Sequence, residues 1–363
     1  MKKLQGLDAL RGLLALVVCG AHSYTIFVRP YSLTRGFINY FWVLSARFAV
    51  LLFFILSGFV IAYSITSNIK KNNGYFYIRE FTISRIARIA PGLIAAIIIV
   101  IFLSQILGWF GLQVLPQGVI TERTVFKPDV LAQIASLFTI GLLGKLSGGL
   151  NGPLWSLIYE IQLYVISALF TISLIGYAWQ RLIAFPTLII LMICLFLVGN
   201  MLQLICFINF LIGAITFLYL DKIKSFNLII TAILCAFAFM LLVVHSNLND
   251  FDKHAFGIIS QIFFTIPAAS CLQLITRFTL LDRLKYLGKF SYSLYVIHFP
   301  LLLFLFFMLQ PFNYPILTAI FAFIGSINIS IILAHYLENT VFWRKKLTQT
   351  LAIVARSLRT EDS

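Results

Sequence analysis

Apolar runs of about 20 residues, separated by short polar clusters, recur along the whole chain. A run of that length forms a helix that spans the hydrocarbon core of a bilayer. The pattern predicts ten spans, at 7–27, 41–64, 88–108, 153–176, 182–198, 202–219, 226–245, 255–276, 291–309 and 315–338. A further apolar segment, 131–146, is short and flanked by glycine, and reads as a re-entrant or interfacial helix on the outer side. The alternation of a transmembrane β-barrel is absent. The expected fold is all-α, a polytopic membrane protein with about ten transmembrane helices. The expected organisation is one membrane domain, 1–345, followed by a short cytoplasmic tail, 346–363.

Charge sets the orientation. With ten spans and the N-terminus inside, six basic residues (Arg29, Arg35, Arg123, Lys127, Lys145, Lys253) fall outside and two (Arg11, Arg47) lie within spans. That leaves 19 of the 27 Lys and Arg on the cytoplasmic side, as the positive-inside rule requires. Counting 131–146 as a span would carry the clusters at 277–289 and 344–346 outside. Both termini are therefore expected in the cytoplasm, in a cell inner (plasma) membrane.

Composition agrees: 61% of residues are hydrophobic and 11% charged, against about 25% charged in soluble domains, and mean hydropathy is +0.99. The net charge of +15 follows from topology and implies no nucleic acid; basic inner loops also attract anionic lipid heads or a phosphorylated small molecule. Asp8 and Arg11 interrupt the first apolar run, which argues against a cleaved signal peptide. Cys19, Cys194, Cys206, Cys235 and Cys271 are scattered through apolar spans with no CxxC pair, so disulfide and metal readings are both poor. No GxSxG elbow, HExxH, P-loop or dinucleotide fingerprint occurs.

Candidate chemistry lies in the ionisable residues placed inside spans, where each is costly and marks a functional site by default. Arg11 and His22 are about three helical turns apart on one face of the first span, roughly 16 Å in depth, and Asp8 shares that face. Arg47 lies about 9 Å inside the outer end of span 2, facing either a carboxylate or polar substrate, or the headgroups by snorkelling. Ser57 and Gly58 suit close helix packing. Arg85 and Arg88, spaced i, i+3, share a face at the cytoplasmic start of span 3. They suit a phosphate by bidentate bonds, although positive-inside charge alone would also explain them. Pro91 would disturb the helix there. In span 4, Pro153 suits the first helical turn and Trp155 the interfacial aromatic belt. Glu160 counts to about 10 Å from the outer end and His22 to roughly 7–8 Å from its own, so Glu160, His22 and Arg47 are expected at one level. The carboxylate would tune His22 as a general base, or pair with Arg47 in a purely structural bridge. Gln162 points away from Glu160. His298 counts to about 10 Å from the inner side, at a different depth from His22, where Ser291, Ser293 and Tyr295 would satisfy it.

The stretches GLDALRGLLALVVCGAH (6–22), FFILSGFVI (53–61), ISRIARIAP (83–91), GPLWSLIYEIQLY (152–164) and SYSLYVIHFP (291–300) together resemble the acyltransferase-3 family of integral-membrane O-acyltransferases, in the family's order and over essentially the whole chain. The resemblance implies acyl transfer, acetyl by default, from cytoplasmic acetyl-CoA or another acyl-CoA to a hydroxyl of a cell-envelope or extracellular polysaccharide, free or as a lipid-linked glycan. It implies no metal. Arg11 and His22 match the family's Arg-x10-His motif, Arg85 and Arg88 its paired arginines, and Glu160 the carboxylate after the Trp155–Ser156 pair. The expected catalytic set is His22, Glu160 and Arg47. The expected cofactor-binding set is Arg11, Arg85 and Arg88, with Asp8, His298, Trp155 and Ser156 as further candidates. Ser45-Ala46-Arg47-Phe48 departs from the glycine and acidic residue of many members, and the chain is expected to work without the esterase-like domain of longer ones. The rival reading is a secondary transporter or exporter of a glycan or lipid precursor; the missing inverted repeat weighs against it.

Overall fold

The computed structural model describes residues 5–31, 37–112, 152–219, 279–309 and 314–361, with single positions at 233, 268 and 272. Nine helices are named here: α1 (Gln5–Ser23), α2 (Phe37–Lys71), α3 (Ile78–Trp109), α4 (Trp155–Ile175), α5 (Ala178–Val198), α6 (Met201–Leu218), α7 (Ser291–Leu309), α8 (Pro315–Leu337) and α9 (Thr340–Glu361). No strand occurs among the described residues. Eight helical stretches there are long and apolar enough to cross a membrane, so the chain is an all-α, multi-pass membrane protein. The expected spans at 226–245 and 255–276, and the segment 131–146, lie outside the described residues.

Burial ranks the helices. In α7, 72% of the apolar window is buried, against 6% in α5; α7 runs through the middle and α5 lines the rim. On α3, Ile94, Ile98 and Phe102 are exposed at helical spacing, so one apolar stripe faces outward. In a bilayer that stripe meets lipid, and helix association rests on close packing instead of the hydrophobic effect. Two glycines provide it between α2 and α6. A Cβ on Gly58 would collide with the Phe210 carbonyl, and one on Gly213 with the Ile55 carbonyl.

A second close approach sets the register of α1 against α7. The segment before α7, Thr279–Lys289, runs as 3-10 turns beside the first turns of α1. A Cβ on Gly288 would lie 2.6 Å from the Asp8 carbonyl oxygen, and one on Gly12 would overlap Leu287. Residues ten positions beyond Gly12 and Gly288 therefore reach similar depth.

Helix α2 runs to Lys71, seven residues past the expected end of span 2 at 64. Span 3 begins at Ile78, ten residues before the expected start, and passes Pro91 as continuous helix. The Tyr292 hydroxyl donates to the Ile89 carbonyl beside the proline at 2.8 Å, so side-chain hydrogen bonding enters where the helix is weakened. The division at 345/346 falls within α9, which packs against α3.

Candidate active site

Three guanidiniums from two helices gather near the N-terminal end of α1. Arg85 and Arg88 project from one face of α3, as their spacing required, and Arg11 joins them from α1. Arg11 Nη1 donates to Asp8 Oδ1 at 3.2 Å across one helical turn. Arg85 donates to the Ser64 hydroxyl and the Ser84 hydroxyl, each at 3.2 Å. Its guanidinium lies 5.6 Å from the Phe81 ring centre and 5.7 Å from that of Tyr164. Arg11 and Arg88 line three cavities at once. Two are wide vestibules of about 460 Å³ and 800 Å³. Lys71, paired with Glu80 at 3.3 Å, and Arg344 line the first with Asp8, and Lys285 and Lys289 line the second with Asp8 and Glu338, so cations outnumber carboxylates in both. The third is a narrow cavity of about 70 Å³ leading into the bundle between α2, α3, α4 and α7. A polyanion suits the wide basic mouth, and a slender uncharged chain suits the narrow cavity with its mainly apolar wall.

Glu160 lies on that cavity wall, with the arginines. Its Oε1 accepts from the Ser57 hydroxyl at 3.0 Å and from the Tyr164 hydroxyl one turn along α4. This departs from the expected common level. The expected level places an outer helix end at Pro153, but that residue and Leu154 are themselves buried in the bundle. Trp155 is half-buried against Tyr159, 5.5 Å between ring centres. Arg47 is half-buried on α2, ten residues or about 15 Å along the helix from Ser57. The carboxylate and Arg47 are thus apart, and Glu160 is held by Ser57 and Tyr164 instead of by the alternative structural bridge to Arg47. Gln162 does face away, accepting from Gln203 Nε2 at 2.9 Å.

Tyr295 closes the inner end of the cavity. Its hydroxyl is hydrogen-bonded to the Ser156 hydroxyl and donates to the Pro153 carbonyl at 3.3 Å. Its ring meets Phe53 edge-on, 5.5 Å between centres. One turn further along α7 stands His298, beside His22. Their ring centres are 5.4 Å apart, tilted by 31°. The two histidines, expected at different depths from opposite ends of their spans, meet because Gly288 abuts Asp8 and Leu287 abuts Gly12 where α1 begins. His22 is the penultimate residue of α1, and a π-helical turn, Tyr24–Val28, follows at once. Such turns are frequent at functional sites. Thr25 donates its hydroxyl proton to the His22 carbonyl at 3.1 Å. His298 is satisfied on one side by main-chain carbonyls, not by the expected serines: Ser291 donates to the Gly288 carbonyl, and Ser293 donates its N–H to Glu338.

The structure therefore gathers the expected residues into two groups. Arg11, Arg85, Arg88 and Glu160 surround the cavity; His22 and His298 form a pair beyond Tyr295. The places of Ser57, Tyr164 and Tyr295 on the cavity wall were not expected. The i, i+4 spacing of Glu160 and Tyr164 carried the signal for one of them; the other two make contacts between helices far apart in sequence. Among the described residues no cluster of three or more His, Cys, Asp or Glu side chains is placed to hold a metal ion.

Comparison with known families gives one match: the model of an acyltransferase domain, Acyl_transf_3, aligns with residues 4–335. Comparisons with curated proteins and with solved structures gave no match.

Proposed function

The chain belongs to the acyltransferase-3 family and is a membrane acyltransferase; from that premise we propose that it moves an acyl group, acetyl by the family's default, from cytoplasmic acyl-CoA to a hydroxyl of a cell-envelope or extracellular polysaccharide at the far side of the inner membrane. The observation that carries this reading is the arginine triplet at the mouth of a single narrow cavity that ends one helical turn from the histidine pair.

Each part has a task in this reaction. Arg11, Arg85 and Arg88 bind the phosphates of the donor, which are too polar to enter the bundle. The pantetheine arm is slender and takes the narrow cavity. Glu160 holds the Ser57 and Tyr164 hydroxyls on the cavity wall and offsets part of the guanidinium charge, so that a neutral arm is not left among uncompensated cations. Tyr295 must shift for the thioester to reach His22. There the imidazole takes the proton of the acceptor hydroxyl; the oxygen bonds to the acyl carbon, the C–S bond breaks, and the proton returns to the departing thiolate. A variant route bonds the acyl group to His22 first. Arg47, nearer the outer end of α2, steadies the developing oxyanion or binds the sugar.

The test is thiol release from labelled acetyl-CoA by purified protein in detergent, with an envelope glycan supplied. The native protein should release thiol and label the glycan. His22→Ala should lose about 10²–10⁴-fold in rate, the usual contribution of a general base, while still inserting in the membrane. An intact thioester with the native protein would favour the transporter.

A further inference from the structure

The structure sets His298 beside the His22 ring, with 5.4 Å between ring centres. His298 is fully buried, at 0% exposure. Its Nδ1 lies 2.9 Å from the carbonyl oxygens of both Leu294 and Tyr295. Carbonyl oxygens only accept, so Nδ1 carries the ring proton and Nε2 of the neutral ring holds a lone pair. Among the described residues no hydrogen-bond donor reaches that Nε2. A histidine kept only for packing would have both nitrogens satisfied, because a buried acceptor without a donor is destabilising. The ring beside it is His22, which Phe299 braces from another side, edge-on at 5.1 Å.

We propose that His298 is the positioning residue of His22: its Nε2 receives an N–H of the His22 ring as that ring takes up the acceptor's proton. This rests on the acyl-transfer reading above and assigns a role within it. When His22 accepts the hydroxyl proton it gains a second N–H. One N–H serves the departing thiolate, and the other needs an acceptor. His298 supplies it without exchanging a proton of its own, so the balance of the transfer is unchanged. The main-chain carbonyls fix its tautomer, as a second hydrogen bond does for other orienting histidines. A neutral acceptor also suits this depth, where an ionised carboxylate would be costly. In this arrangement Glu160 is free to serve the narrow cavity that takes the donor's arm.

The measurement is acyl transfer by the full-length purified protein carrying His298→Phe or His298→Gln, with acetyl-CoA as donor. Phenylalanine keeps the ring and removes the acceptor; glutamine supplies a carbonyl oxygen. The Phe variant should lose about 100-fold in kcat at unchanged KM for acetyl-CoA, and the Gln variant should keep at least about ten times the kcat of the Phe variant. Should both fail to assemble, His298→Gly decides: imidazole should restore turnover and pyrrole, a ring of the same size with no acceptor nitrogen, should not. A Phe variant within threefold of native kcat, Gln and Phe variants equally impaired, or rescue that does not distinguish imidazole from pyrrole overturns the assignment. If the native protein leaves the thioester intact, the acyl-transfer reading itself fails, which is a separate result.

Discussion

Arg88 and Glu160 line the same cavity, yet their substitution should have different kinetic signatures. Arg88→Glu reverses a charge that faces all three cavities, so the concentration of acetyl-CoA needed for half-maximal rate should rise at least about tenfold. That is the size expected for losing a charge-assisted phosphate contact worth about 1.5–3 kcal/mol. Glu160→Gln leaves the mouth intact and removes compensating charge from the arm's path, so its loss should fall mainly on kcat. Steady-state kinetics separates the two, and a rise in KM alone for Glu160→Gln would contradict the placement of the carboxylate on the cavity wall. At this scale the sequence was informative about residue type more than about partners. Arg11, His22 and Glu160 stand out as ionisable groups inside apolar runs, and Arg85 and Arg88 by their i, i+3 spacing where a span begins. Their grouping was hidden, because it depends on where each helix begins. Pro153 and Leu154 are buried where an outer end was expected, and a glycine contact at Asp8 sets His298 beside His22.

Helices show the reverse balance. Periodicity and length gave α5, α6, α7 and α8 to within a few residues, since a lipid-exposed backbone must be helical and the bilayer fixes how long it is. Crossing geometry is harder to read from one chain. Gly58 was legible as a packing residue, but its partners, the Phe210 carbonyl opposite it and the reciprocal Gly213 against Ile55, are not encoded locally. This crossing carries a mutational expectation. Gly213→Leu forces α2 and α6 apart and should destabilise the bundle by about 1–3 kcal/mol, the usual cost of overpacking. Because α2 also carries Ser57, the same change should lower acyl transfer. Thermal unfolding in detergent, read beside activity, checks both; an unchanged midpoint would mean that the two helices do not approach as closely as described.

Taken whole, the molecule is asymmetric along its bundle axis. One end presents arginine- and lysine-lined vestibules, the narrow cavity leads inward from them, and the histidine pair lies past its closed end. The positive-inside count predicts that basic end on the cytoplasmic side, and the proposed direction of transfer rests on it, while the arrangement of cavity and histidine pair required the fold. Tyr295, hydrogen-bonded to Ser156 across the route, makes passage of the thioester a conformational event, so thiol release should depend on acceptor and donor together.

The most direct measurement is transfer across a sealed membrane. Native protein and His22→Ala are reconstituted in vesicles, the orientation of each preparation is fixed by tagging, and labelled acetyl-CoA is supplied only on the side of Arg88 with the envelope glycan only on the other. Label should accumulate on the glycan with native protein and fall to background with His22→Ala. Transfer that requires donor and glycan on the same side, or that proceeds undiminished without His22, would contradict the proposed passage from the arginine mouth to the histidine pair.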